Sequence, residues 1–359
     1  MRDREYEKLK NEFVKAAKQA KTPLIAHFEL TARCNLDCKM CYVHNQNNAQ
    51  CLHRELSTEQ WKRIFDEAYE CEMLYATLSG GECLLRKDFK ELYLHLWNKQ
   101  VFVTVFTNGT LIDDEYVEFF KTYTPDMIQI SLYGSSEEGY LNVTNHKGFE
   151  KTISAIKELM RAGIDVRISV TPSKYMKEDY INILRVCREN RFYTQLSDIF
   201  LISNRDDEKK DDYYLTDEEI ISLSIERAEL YGFLAPAHNI PDYCGPMCTL
   251  PEKGMTCKAG TCFAAVTWDG KMYPCYNAMI GEGPSLLEVS YAEAWKKTVK
   301  AASEVIHGAE CVGCPYDKTC PKCPSARLKD LHSGHCNPSI CELTRKLVAA
   351  GVKKLEPVD

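Results

Sequence analysis

The chain has 359 residues, 45% of them hydrophobic and 27% charged, enough for one large core and a smaller satellite, and this composition excludes a disordered protein. A formal charge of -7 excludes a general electrostatic drive toward nucleic acid, and no apolar run approaches the roughly 18 residues of a membrane span. The N-terminus lacks the apolar segment of a signal peptide, so the chain is expected in the cytoplasm, where its 18 cysteines stay reduced and point to metal binding rather than disulfides.

In chain order, residues 1–22 read as an amphipathic helix, and the apolar run of TPLIAHFEL, from residue 23 to its close at Leu30, reads as a buried strand. Further strands are expected at MLYATLSG (73–80), VFVTVFTNG (101–109), MIQISLYG (127–134), IDVRISVT (164–171) and TQLSDIFLI (194–202). Between and after them, TEQWKRIFDEAYEC, KDFKELYLHLWNK, DDEYVEFFKTY, GFEKTISAIKELMRAG, EDYINILRVCREN and DEEIISLSIERAELYG space apolar residues three and four apart, as helices do. Six strands, each followed by a helix, imply a parallel sheet with right-handed crossovers. Six units fall short of the eight of a closed barrel, so the expected fold is α/β, a partial (β/α)6 TIM-like barrel over residues 23–234. Its working groups should sit at the C-terminal ends of the strands.

The charge run at 206–212 reads as a solvated loop. From about residue 235 the alternation gives way to Cys, Gly and Pro. Residues 235–345 read as a second, metal-stapled domain with too little apolar surface to fold on packing alone, and 346–359 as a tail.

The first cysteine group, in TARCNLDCKMCYVHN, places Cys34, Cys38 and Cys41 at gaps of three and two residues. A closed structural site takes four protein ligands, so three thiolates in one loop imply a borrowed partner or an open metal position. A zinc site completed by His44 satisfies the spacing too. Placement separates the two: a strand end inside a repeated strand–helix sheet is an active-site location, whereas structural zinc loops staple small irregular domains.

Cys34-x3-Cys38-x2-Cys41 after the first strand, followed by Ser79-Gly80-Gly81-Glu82 after the second, resembles the radical S-adenosylmethionine (SAM) superfamily. The resemblance implies a 4Fe–4S cluster on the three thiolates, its fourth iron open to the amino and carboxylate groups of SAM. Reductive cleavage would then give a 5'-deoxyadenosyl radical. It also implies that Gly80 and Gly81 clear space for the methionine amine, that Glu82 adds charge or orders the turn, and that Thr107, Asn108, Gln129 and Ser131 contact ribose and carboxylate. Met40 stands where an aromatic often flanks the adenine and would pack there through its thioether. Cys83 replaces a frequent proline.

The later cysteines resemble the SPASM extension, which carries two auxiliary 4Fe–4S clusters, making three in all. That resemblance assigns Cys257, Cys262, Cys275 and Cys323 to the first auxiliary cluster, and Cys311, Cys314, Cys320 and Cys341 to the second, with Cys336 the rival of Cys341. Two zinc ribbons are the alternative. Cys51, Cys71, Cys83 and Cys187 read as ordinary thiols, and Cys244 and Cys248 as spare ligands or channel thiols.

SLYGSSEEGYLNVTNHKGFEKTI looks closest to enzymes that modify ribosomally made peptides. The expected reaction is therefore hydrogen abstraction from a bound peptide, giving a thioether or carbon–carbon crosslink or another altered residue. An external one-electron reductant of flavodoxin or ferredoxin type would serve it, with no nucleic acid or membrane involved. The alternative is an anaerobic sulfatase-maturating enzyme, in which an Asp base follows the cysteine equivalent to Cys275; here Tyr276 stands there. A non-catalytic electron carrier or zinc scaffold would use the cysteines without needing SGGE or TNG at strand ends.

Overall fold

A computed structural model describes residues 4–41, 43, 49–195, 214–231, 254–255, 257–277, 279–305, 316, 319–320 and 338–353. Helix α1 (Arg4–Ala20) is followed by strand β1 (Ile25–Glu29), short helix α2 (Ala49–Arg54) and α3 (Thr58–Glu70). Then come β2 (Tyr75–Ser79), α4 (Phe89–Asn98), β3 (Phe102–Thr107), α5 (Asp114–Thr122) and β4 (Met127–Ser131). The series continues with α6 (Glu137–Thr144), α7 (Phe149–Arg161), β5 (Val166–Ser169), α8 (Tyr180–Glu189), β6 (Tyr193–Gln195) and α9 (Asp217–Tyr231).

All six expected strands are present, the sixth over its first residues; 196–202, like the charge run at 206–212, lies outside the described residues. They pair in the order β6-β5-β4-β3-β2-β1, each parallel to the next. A doubly wound sheet reverses its strand order; this one does not, so every crossover steps the same way, as in a barrel. Along β4, Ile128 and Ile130 are fully buried in a core shared with Trp61, Phe65 and Leu92 of the helices, while Gln129 and Ser131 alternate with them on the half-buried inner face.

Two strands lie in the cysteine-rich region, where none was expected. β7 (Phe263–Val266) pairs parallel to β1, with Ile25 opposite Phe263, and β8 (Met272–Tyr273) turns back antiparallel to β7. β1 is thus flanked on both edges and buried on both faces, with His27 and Glu29 as inaccessible as Phe28. Helix α10 (Tyr291–Ser303) ties this region back: the Tyr291 N–H donates to Glu67 at 2.7 Å and the Trp295 indole to the Lys21 carbonyl at 2.7 Å. α1 crosses the N-terminal ends of the strands, packing Val14 and Ala17 on Leu24 and Tyr75, while the Tyr6 hydroxyl donates to Asp126 just before β4.

Candidate active site

The C-terminal ends of β1 to β4 converge on the cysteine loop. β1 ends at Glu29, and the next residues are pinned by the turn after β2: the Gly81 N–H donates to the Thr31 carbonyl at 2.7 Å and the Glu82 N–H to the Arg33 carbonyl at 2.8 Å. Backbone packs on backbone here. A Cβ on Gly80, whose φ is +146°, would lie 2.4 Å from the Thr31 oxygen, and one on Gly81 would lie 2.3 Å from the Arg33 oxygen. The two glycines therefore admit the base of the cysteine loop itself, a reason the sequence reading had placed with the cofactor.

Glu82 is completely buried, and both of its carboxylate oxygens meet donors. It accepts hydrogen bonds from the Leu84 N–H (3.0 Å), the Thr107 hydroxyl (2.9 Å) and the Asn108 N–H (2.8 Å). Burial pushes its carboxyl above the usual range, and these donors oppose the shift without cancelling it. Of the two roles considered for Glu82, the geometry is that of ordering, since it staples the β2 turn to the β3 turn. Glu82→Ala is expected to lower stability by several kcal/mol, because three buried donors lose their acceptor at roughly 1–3 kcal/mol each. Glu82→Gln should lose less. Denaturant unfolding measures both, and equal stabilities for Glu82→Ala and the unaltered chain would contradict the staple.

Asn108 reaches the cysteine loop. Its side-chain amide donates to Asn35 Oδ1 at 2.9 Å and lies 3.8 Å from Cys34 Sγ, and its Oδ1 accepts from the Thr110 N–H and hydroxyl. The Leu36 N–H also points at Cys34 Sγ, at 3.4 Å. The middle of the loop rests on α6: the Asp37 and Lys39 N–H groups donate to the Thr144 and Val143 carbonyls, each at 3.0 Å, and the Asn145 side chain donates to the Asp37 carbonyl. The SLYGSSEEGYLNVTN stretch is therefore the seat of the cysteine loop. Asn145 can end α6 there because it adopts the left-handed conformation at φ +57°.

Cys34 is buried and Cys38 and Cys41 are half-buried, and they feel one another's charge. Burial pushes the Cys34 thiol up to about 12 and Cys38 higher still, so metal binding must release their protons. Among the described residues no three Cys, His, Asp or Glu side chains converge on a point that would hold a single ion. His44 lies outside the described residues.

Ser79 is buried at the end of β2, and Gln129 and Ser131 line the inner face. Met40 is turned into the main core. Cys257 and Cys275 flank one apolar patch, whereas Cys262 is fully buried on another, with Val14, Ala17, Leu24 and Tyr75. Cys320 is half-buried, and Cys341 lies in helix α11 (Pro338–Ala349), its side chain outside the described residues. Cys244, Cys248, Cys311, Cys314, Cys323 and Cys336 also lie outside them. Cys83 and Cys187 are buried, as ordinary core thiols would be.

Two groups escaped the sequence reading, and a third, Tyr276, was read there without its partner. Glu55 receives both nitrogens of an Arg33 fork, at 2.9 and 3.0 Å, together with the Thr31 hydroxyl, bracing the loop base from the other side. Tyr133 and Tyr140 meet edge to face and share an apolar patch with Cys34 and Cys38. Tyr276 stacks on His27 at 4.5 Å, and His27 meets Phe106 edge-on, bringing the residue after Cys275 to the inner face of β1. Only the adjacency of Tyr276 to Cys275 left a trace in the sequence.

The profile of the Radical SAM superfamily matches residues 28–187. The chain is 28% identical over 280 residues to the PqqA peptide cyclase of Granulibacter bethesdensis, covering 74% of this chain and 72% of that protein. It is 26% identical over 321 residues to the AdoMet-dependent heme synthase of Methanosarcina barkeri, covering 84% and 91%. The crystal structure of Streptococcus suis SuiB bound to precursor peptide SuiA shares the fold, with a TM-score of 0.66, 16% identity and coverage of 95% of this chain and 82% of that one. Residues 28–187 are therefore a radical SAM domain, which implies a 4Fe–4S cluster and SAM.

Proposed function

We propose that this chain modifies a ribosomally made peptide by radical chemistry. The observation that carries it is the cysteine loop at the end of β1, clamped between the Gly80–Gly81 turn and α6. The site fits the cluster: amide donors from Leu36 and Asn108 aim at Cys34 sulfur, as a ligating thiolate requires, and the three thiols are near enough to feel one another's charge. Cys34, Cys38 and Cys41 would hold it, with SAM against the Ser79–Gly81 backbone, Gln129 and Ser131. Glu82, Thr107 and Asn108 would act by fixing the turns around it, and Met40 by backing the loop from the core. When bound, the cluster supplies the electron that cleaves SAM, and the radical released removes a hydrogen atom from the peptide.

The protein's part is to hold the target carbon beside that radical and keep water away. β1, buried on both faces, is a rigid wall for this, and Tyr276, His27 and Phe106 extend it as an aromatic surface. Two auxiliary clusters complete the reading, one on Cys257, Cys262, Cys275 and Cys323, the other on Cys311, Cys314, Cys320 and Cys341. A ligand role for Cys262 requires its side chain to turn away from α1. The relation to a peptide cyclase supports a peptide substrate. Sulfatase maturation is not favoured, because Tyr276 replaces the Asp base and its ring is committed to His27. A cytoplasmic setting, in which the 18 cysteines would stay reduced, and a flavodoxin- or ferredoxin-type reductant complete the reading.

The test is anaerobic incubation of the reduced enzyme with SAM and each short peptide found to be encoded beside it. We expect 5'-deoxyadenosine and either a peptide lighter by a pair of hydrogens or one labelled by heavy water through epimerisation. Because the match to a heme synthase spans more of the chain, an iron tetrapyrrole is run in parallel. Turnover of the tetrapyrrole, or of a sulfatase-derived peptide, with the neighbouring peptide untouched would overturn the proposal.

A further inference from the structure

The tip of the β7–β8 hairpin touches the cysteine loop. Trp268 is 7% exposed and shares an apolar patch with Ala32 and Val43, on which Cys41 also packs. Ala32 is the residue between the two carbonyls that receive the Gly81 and Glu82 N–H groups, and Val43 lies two beyond Cys41, so the indole meets the loop near both its ends. The indole is itself held in place. The Arg54 guanidinium lies 5.0 Å above its ring and pairs with Asp269 at 2.6 Å, while Asp269 accepts the Thr267 hydroxyl at 2.7 Å. Gly270, at φ +82°, closes the hairpin against Leu56, two residues after Arg54.

We propose that Trp268 is a positioning residue for the radical cluster, seating the Cys41 end of the loop from a hairpin whose other end is Cys275. This rests on the radical SAM reading of the cysteine loop. The turn after β2 secures the Cys34 end, α6 secures the middle, and a large, rigid side chain with two torsions secures the rest at little entropic cost. The hairpin is fixed in turn by its pairing with β1. The region bearing the proposed auxiliary ligands and the loop bearing the radical cluster are therefore one mechanical unit.

The test compares the unaltered chain with Trp268→Ala and Trp268→Phe, all reconstituted anaerobically, by iron content, electron paramagnetic resonance with and without SAM, and SAM cleavage. Trp268→Ala should raise the apparent KM for SAM about tenfold, equivalent to about 1.4 kcal/mol, and weaken the SAM-induced change in the cluster signal, with auxiliary signals intact. Trp268→Phe should restore most of both. Protease cleavage within the loop of the metal-free chain should also quicken in Trp268→Ala. Wild-type KM, signal and proteolysis in Trp268→Ala would overturn the proposal. So would a parallel loss of auxiliary signals that Trp268→Phe does not rescue. If Trp268→Ala fails to fold, Arg54→Ala, which frees the indole without opening the core, should shift KM in the same direction, and an unchanged KM there overturns it. An unaltered chain that takes up iron only as auxiliary clusters and cleaves no SAM overturns the underlying reading, and this proposal with it.

Discussion

Changing Cys34, Cys38 or Cys41 to Ala is expected to abolish SAM cleavage and remove about four iron atoms per chain, leaving roughly two-thirds of the iron in place. The loss should be confined because the loop is seated by contacts that do not involve its sulfurs: Gly81 and Glu82 on one side, Val143 and Thr144 on the other. The apoprotein loop thus stays formed when one thiol is gone. Iron and sulfide analysis of each variant beside the unaltered chain measures the loss. An unchanged iron content would exclude a cluster at this loop, and loss of all iron would mean that the cluster supports the fold as well as the chemistry.

The second large effect is expected at Gly81. In Gly81→Ala the added methyl carbon would stand 2.3 Å from the Arg33 oxygen and 2.8 Å from the Ala32 oxygen, both backbone atoms with no side-chain torsion to yield. Overpacking a core costs about 1–3 kcal/mol where side chains can shift, and here the loop base must move instead. The 2.7 and 2.8 Å bonds from Gly81 and Glu82 would go with it. We expect at least about 3 kcal/mol of destabilisation and no SAM cleavage, with auxiliary iron retained. Gly163 is the control. Unlike Gly81, it has a positive φ, +80°, but nothing lies within 4 Å of its missing Cβ, so Gly163→Ala should cost only about 1–2 kcal/mol of backbone strain and leave cleavage intact. Equal effects at the two sites would mean that the close approach at Gly81 costs no more than the strain of a positive φ, and would contradict the steric account.

Periodicity made the barrel legible. Each of the six strands carries an apolar run closed by turn residues, and each helix repeats at three and four, so the alternation could be read without knowing what packs on what. β7 was missed because FAAV is short and lies in a segment dominated by cysteine and turn formers, although the Asp269-Gly270 pair two residues before β8 is a hairpin signal. The cysteine loop was visible from its spacing, although the spacing by itself left a zinc site open. Its supports were not: Glu55 meets Arg33 across 22 positions and Asn108 meets Cys34 across 74, and no local pattern records a contact of that kind. The glycines were singled out correctly for their missing side chains, but which atoms come close could be known only once β1 and β2 lay side by side.

The central place of β1 also bears on synthesis. Its partner on one side, β2, leaves the ribosome about 50 residues later, but β7 follows about 240 residues after β1. At roughly 5–20 residues per second, that edge of β1 waits some tens of seconds with its amide and carbonyl groups unpaired. A parallel, apolar, unpaired edge is the part of a nascent chain most prone to join another. Ribosomes spaced along one message would present such edges side by side, so slower initiation or chaperone cover over that interval should raise the yield of soluble chain more than any change to the finished fold.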